Sequence, residues 1–187
     1  MDIVDEKIID LGLLIYTYRR EYIEKINIDI NEYFNKFNQK DLIKIEYVSD
    51  FDVNDKQKLI DVFKKNRRKE INLGMASFGI HRDDYDFMYN AMNSRDYSSQ
   101  GTQKLIILAM KLAEINVFKK YYDIEPIVLL DDLFSELDEK NRNKIFDALD
   151  NSLQIFITTT DVKNINKKII NKAKVFNLDE RKIKYEK

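Results

Sequence analysis

The sequence predicts an α/β chain in which a parallel-sheet βαβ unit is preceded by a helical arm subdomain. Three observations carry that prediction. An uninterrupted apolar run at 126–130 ends in two adjacent carboxylates, Asp131 and Asp132. A second apolar-rich run, 153–158, follows after a helical stretch carrying Ile145, Phe146 and Leu149. Ahead of both, apolar residues recur at steps of three or four from 5 to about 37. Strand, helix and strand in that order build a parallel βαβ unit, and the long 3.6-residue period is that of an amphipathic helix.

Composition narrows the class of protein. A chain of 187 residues with 44% hydrophobic content can bury a core. Lys+Arg 32 against Asp+Glu 33 leaves a formal charge of -1, so any contact with DNA must come from a local patch or an assembled groove. Cysteine is absent, which excludes disulfides, thiolate metal sites and cysteine nucleophiles and is compatible with a reducing cytosol. The single His81 excludes a histidine cluster. No apolar run approaches the roughly 20 residues needed to span a bilayer, and the acidic opening at 1–5 lacks the positive n-region of a signal peptide. The expectation is a soluble cytoplasmic protein without a membrane partner. One Pro and four Gly leave no linker to mark a boundary, and no repeat is visible.

The elements follow in order. In the first helix Leu11, Ile15, Tyr18, Tyr22, Ile26, Ile30, Tyr33 and Phe37 form one stripe, and its length of on the order of 45 Å makes it an arm or one whole side of a domain. Residues 42–48 alternate apolar and polar and read as a strand. Helical spacing returns at 54–70 through Leu59, Ile60 and Phe63, and ends in the basic cluster Lys64, Lys65, Arg67, Arg68 and Lys69. That cluster is either a solvated helix end favoured by the macrodipole or a patch for DNA phosphates. Residues 73–84, LGMASFGIHRDD, crowd two glycines, His81, Arg82 and two acids into a loop before a strand at 85–89. Such a segment is a functional turn or a locally satisfied histidine. YSSQGTQK at 97–104 opens a helix through Leu105, Leu108, Ala109, Leu112 and Ile115. Small residues there leave backbone N–H groups free at the positive end of the dipole, as an ordinary N-cap or as an anion site.

The run at 126–130 is apolar enough for a strand buried on both faces. Ligands of parallel sheets gather at the carboxyl ends of the strands, so Asp131 and Asp132 either end a strand or have the form of a Walker B segment. In the second case Asp131 would serve Mg²⁺, which takes oxygen ligands, and Asp132 could polarise an attacking water. Asp138 reads as the N-cap of the next helix, the strand at 153–158 ends in Thr158, Thr159, Thr160 and Asp161, and a short helix to 170 and strands at 173–178 and 182–185 complete the chain.

Ser-Gln-Gly at a helix start, an apolar strand ending in two acids, and Ser135-Glu136-Leu137-Asp138 stand in that order. With GIHRDD and YSSQGTQK they resemble the RecF family of DNA-repair ATPases, over nearly the whole chain. The resemblance implies the C-terminal lobe of an ABC-type ATPase head, with an arm at 1–72 and the lobe at 73–187. It implies that Ser99, Gln100 and Gly101 form the signature that meets the γ-phosphate of ATP held by the opposite subunit. It makes Asp131 the Mg²⁺ ligand, Asp132 the catalytic carboxylate, and Ser135, Glu136, Leu137 and Asp138 the D-loop at the dimer interface. His81, Arg82 and Thr159 are candidates for phosphate sensing or the interface, and Lys64, Lys65, Arg67 and Arg68 for DNA contact. The sequence departs from the family's pattern at Thr102, where Gln is common, at Ile80, where Pro often stands, and at 158–161, where threonines replace the switch histidine of many ABC ATPases.

No G-x-x-x-x-G-K-[ST] occurs anywhere in the sequence. The expectation is therefore that these residues are the C-terminal part of a longer protein, inactive as an ATPase alone. The function implied is ATP-dependent homodimerisation on gapped or junction DNA and recombinase loading with other mediator proteins, in repair, recombination, replication and the SOS response. The alternatives are a fragment of an SMC-type repair ATPase, a metal-dependent nuclease using Asp83, Asp84, Asp131 and Asp132, and an interaction module that has lost the chemistry.

Overall fold

The computed structural model describes every residue except 1–2, 38–39, 52–54, 132–138, 150–151, 161–164, 166, 180–181 and 187. The backbone divides by packing into two units, Met1–Val117 and Phe118–Lys187. The arm and lobe expected at 1–72 and 73–187 are a division by role, and we keep that division as a proposal.

In the first unit α1 (Ile3–Phe37) leads to β1 (Ile43–Val48), α2 (Lys56–Leu73), a 3₁₀ turn at Ile80–Arg82, β2 (Asp84–Tyr89), β3 (Met92–Asn93) and α3 (Ser94–Tyr97). Helix α4 (Gln100–Tyr122) begins in this unit. The strands form an antiparallel sheet ordered β1-β2-β3, with Ile43 opposite Tyr89 and Val48 opposite Asp84. Asn90 and Ala91, at φ 49° and 67°, make the two-residue turn between β2 and β3. Positive φ at both positions matches the right-handed twist of the flanking strands.

Strand β1 lies at the sheet edge, and two side chains of α1 occupy that edge. Asn27 Nδ2 donates to the Ile45 carbonyl and Ile45 N donates to Asn27 Oδ1, both at 2.8 Å. Asn31 repeats the pair on Ile43, at 2.9 and 2.8 Å. The two spacings match: four helical residues rise about 6 Å and two strand residues about 6.6 Å. The outward backbone groups of Ile43 and Ile45 are thus satisfied, and their side chains are buried.

A second constraint sits near the start of α1. Ile9, Phe51 and Leu59 form a buried cluster with Leu13, Tyr16, Ile60, Phe63, Phe78 and Ile80 packed against it. Phe51 stacks on Phe78 with ring centroids 5.7 Å apart, and Phe63 meets Phe78 edge-on at 5.4 Å. A Cβ at Gly12 would lie 2.4 Å from Phe51 Cε1, so the ring requires glycine in the middle of this helix.

That seat corrects the expected stripe. Its later members Ile26, Ile30, Tyr33 and Phe37 are buried, but Leu11 is 60% and Tyr18 62% exposed, and the inward face instead carries Ile9, Gly12 and Ile23. The aromatic cluster on α2 and the loops rotates the contact away from the periodic stripe. Helix α2 starts at its N-cap Asp55, whose carboxylate accepts from Lys58 N at 3.1 Å, and stops at Gly74 in the left-handed conformation.

The second unit holds β4 (Val128–Asp131), α5 (Glu139–Ala148), β5 (Ile155–Thr158), α6 (Lys167–Ile170), β6 (Val175–Asp179) and β7 (Lys182–Glu186). Strands β4 and β5 pair in parallel, Val128 opposite Ile155 through Asp131 opposite Thr158, and β6 and β7 pair antiparallel. The expected βαβ unit is present. The expectation that its first strand is buried on both faces is corrected: Leu129 is 72% and Phe156 50% exposed. Among the described residues β4 pairs with β5 alone, and the sheet face that carries Leu129 and Phe156 is exposed.

The Gly12 seat yields a test. Gly12→Ala gains helix propensity of up to about 1 kcal/mol, yet the clash with Phe51 should outweigh it and lower stability by ~1–3 kcal/mol in urea unfolding. A stabilised variant would show that Phe51 yields without loss.

Candidate functional site

Two places gather the residues singled out in the sequence. The first is the carboxyl end of the parallel strands. The register sets Asp131 beside Thr158, and the Thr158 hydroxyl donates to Asp131 Oδ1. Both side chains are exposed, and Thr159 follows, half-buried. Asp132 and the stretch with Ser135, Glu136, Leu137 and Asp138 lie outside the described residues. A carboxylate next to a hydroxyl is a hard oxygen donor set of the kind Mg²⁺ takes, with one or two carboxylates and several waters. Among the described residues no group of three or more acids or histidines could hold a metal on its own.

The second place is the start of α4. Ser99 caps the helix: Thr102 N donates to its Oγ at 3.2 Å, Gln103 N to its carbonyl at 2.9 Å, and the Ser99 and Thr102 hydroxyls lie 3.0 Å apart. Gln100 and Gly101, both exposed, occupy the first turn, where backbone amides have no intrahelical acceptor. A Cβ at Gly101 would meet only Ser99 Oγ, at 3.8 Å, so packing does not demand this glycine. Close approach of a ligand to the backbone is a physical reason for it.

Gln103 is the residue that the sequence reading missed. Its amide donates to the carbonyls of Ser94 at 3.0 Å and Ser98 at 3.3 Å, and the Ser98 hydroxyl also donates to Ser94 at 2.6 Å. These bonds tie α3 to the turn that carries Ser99. Helix α3, which the reading also missed, is a single turn with Asn93 as its N-cap.

The 73–84 loop is held from outside. Glu70 accepts from Ser77 N at 2.7 Å, Ser77 Oγ at 3.0 Å and Phe78 N at 3.1 Å. The backbone donor of Ser77 is the largest of the influences that hold this carboxyl below the usual carboxylate range. His81 and Arg82 project exposed from the 3₁₀ turn that follows Gly79.

The side chain of Asp83 is buried, 2% exposed. It accepts from Ser49 Oγ at 2.7 Å, Arg19 Nη1 at 3.2 Å and the Tyr47 hydroxyl. Burial, followed by the hydrogen bond to Asp83, pushes the Tyr47 phenol up to about 12. Of the basic residues on α2, Lys64, Lys65, Arg67 and Arg68 are exposed, and Arg67 pairs with Asp5 of α1 at 2.6 Å.

Comparison with known proteins decides the family. No family model matches the chain. The DNA replication and repair protein RecF of Lactobacillus johnsonii is 34% identical over 187 residues, 95% of this chain and 50% of that protein. RecF of Clostridium botulinum is 35% identical over 172 residues, 89% of this chain and 46% of that protein. Over the length it spans, this is a RecF-family chain. A solved structure of the recombination mediator RecF-ATP in the RecFOR pathway is 28% identical, with a TM-score of 0.74 over 88% of this chain and 45% of that one. A structure of RecF-ATPrS, 24% identical with a TM-score of 0.80 over 98% of this chain, shares the fold. The fold, mixed helix and strand with a parallel pair, matches about half of RecF, an ABC-type ATPase. The chain spans about half the length of the curated relatives that it matches.

The Tyr47 shift has a defined sign. Its folded value lies above the ordinary 10, so its contribution is complete below pH 10 and is lost as pH rises to about 12. In urea unfolding the advantage of the wild type over Tyr47→Phe should therefore narrow through that window. An advantage that stays constant would mean that the phenol keeps an ordinary value.

Proposed function

We propose that this RecF-family chain supplies the trans half of an ATP-dependent DNA-repair switch. The observation that carries the reading is the exposed, serine-capped start of α4, with Gln100 and Gly101 presenting free amides. Gln103 fixes that turn from below. In the proposal the Ser99 hydroxyl and these amides receive the terminal phosphate of ATP held on another subunit, where the helix dipole favours negative charge. Asp131 holds Mg²⁺, Asp132 activates water, and 135–138 lies at the dimer interface. The phosphate-cradling loop comes from a segment outside these 187 residues. ATP binding then joins two subunits on gapped or junction DNA, recombinase is loaded with other mediator proteins, and hydrolysis separates them.

The remaining candidates take subordinate roles. Exposed Lys64, Lys65 and Arg68 are free to meet phosphates through a local patch, whereas Arg67 already contributes to the α1–α2 contact through Asp5. His81, Arg82 and Thr159 are proposed at the phosphate or the interface. Asp83 counts against the two-metal nuclease: three side chains already donate to its carboxylate, and burial removes it from any substrate.

Two outcomes are expected when the chain is combined with a lobe that carries a P-loop. Light scattering should show association that requires Mg-ATP, and Ser99→Arg should weaken it at least about tenfold, or ~1.4 kcal/mol. Asp132→Ala should leave association intact and abolish turnover. Association that is indifferent to Ser99 would overturn the trans reading. For the α2 patch, reversing Lys64, Lys65 and Arg68 should reduce the salt dependence of DNA affinity by about one unit of log–log slope per lost phosphate contact.

A further inference from the structure

The sequence drew attention to Thr159 after β5, but the geometry selects its neighbour. Thr158 is the last residue of β5 and lies in register with Asp131, the last residue of β4. Its hydroxyl donates to Asp131 Oδ1. Among the described residues no hydrogen bond reaches Asp131 Oδ2, and the residue is exposed. Thr158 and Asp131 stand on the same sheet face as Phe156 and Leu129, at the end where parallel strands place their ligands.

We propose that Thr158 is a positioning residue for the Asp131 carboxylate, fixing its rotation so that Oδ2 is presented to a divalent cation or to that cation's water. The inference rests on the reading of Asp131 as the cation ligand. A carboxylate on a short side chain can rotate about χ2, and a rotating ligand loses entropy when it binds. A hydroxyl on the adjacent strand removes that freedom beforehand. Threonine suits the position better than serine, because branching at Cβ restricts χ1 and favours the strand, so the donor is itself held in place. Partners that orient ligating carboxylates in this way commonly matter by 10–100-fold in metal affinity. The arrangement gives the threonine at the end of β5 a task that acts through the metal carboxylate and needs no contact with phosphate.

The test is a titration with Mn²⁺ of this chain combined with a lobe that carries a P-loop and with ATP bound. It is followed by the electron paramagnetic resonance signal of free Mn²⁺ and read as binding above that of ATP with the lobe alone, with thermal unfolding run in parallel. Thr158→Val keeps the shape and strand preference and removes the donor, Thr158→Ser keeps the donor, and Asp131→Asn removes the ligand. Asp131→Asn should abolish binding, Thr158→Val should weaken it on the order of tenfold with the unfolding midpoint unchanged, and Thr158→Ser should restore most of it. If Asp131→Asn abolishes binding while Thr158→Val binds as the wild type does, the positioning role is overturned and Asp131 remains a ligand. If Asp131→Asn binds Mn²⁺ as the wild type does, or the wild type binds none, the reading of Asp131 fails and the role of Thr158 fails with it. Should Thr158→Val unfold, Thr158→Ala judged against Thr158→Ser decides by the same criterion.

Discussion

The pairing of Asn27 and Asn31 with the edge of β1 is the contact on which the rest of the first unit depends. A sheet edge exposes backbone donors and acceptors that cost free energy when buried without partners. Here two amides on successive turns of α1 complete four such bonds at 2.8–2.9 Å. The helix therefore acts as the neighbouring strand would, and its register against the sheet is fixed to one residue. Ile26, Ile30 and Phe34 of the same helix and Ile43 and Ile45 of the strand are then buried together. Sliding α1 by one position would unpair all four bonds.

Polar networks play the corresponding part at the loops. Glu70 gathers three donors from Ser77 and Phe78, and Asp83 gathers Ser49, Tyr47 and Arg19. Between them these carboxylates define the segment that presents His81 and Arg82. Acids placed this way stabilise by being satisfied, since a buried carboxylate that loses one donor retains its desolvation cost. The density of charged residues in 73–84 thus reflects architecture at Asp83 and exposure at its two neighbours.

The two candidate sites share a physical basis. Each lies where regular structure ends: the amino end of α4, whose first backbone amides have no intrahelical acceptor, and the carboxyl ends of β4 and β5, where parallel sheets gather their ligands. Each is also braced by one side chain: Gln103, in the first turns of α4 itself, ties the turn at Ser99 to α3, and Thr158 on the neighbouring strand holds Asp131. Local termination supplies the chemical potential for binding an anion or a cation, and the brace supplies the fixed geometry that makes it useful.

Much of this was legible in the sequence. Periodicity announced α1, α2, α4 and the βαβ order because helices and strands bury faces at 3.6 and 2 residues. The order of Ser99-Gln100-Gly101, Asp131-Asp132 and Ser135-Glu136-Leu137-Asp138 already resembles the RecF family in the sequence alone. Which face of α1 turns inward near Gly12, that Leu129 and Phe156 are left uncovered, and that Asn27 and Thr158 hold what they hold were decided only by tertiary structure. The physical reason is distance along the chain. Gly12 answers to Phe51, Asn27 to Ile45 and Thr158 to Asp131, pairs separated by 18 to 39 positions, and no local period records a contact that only folding brings within hydrogen-bond reach.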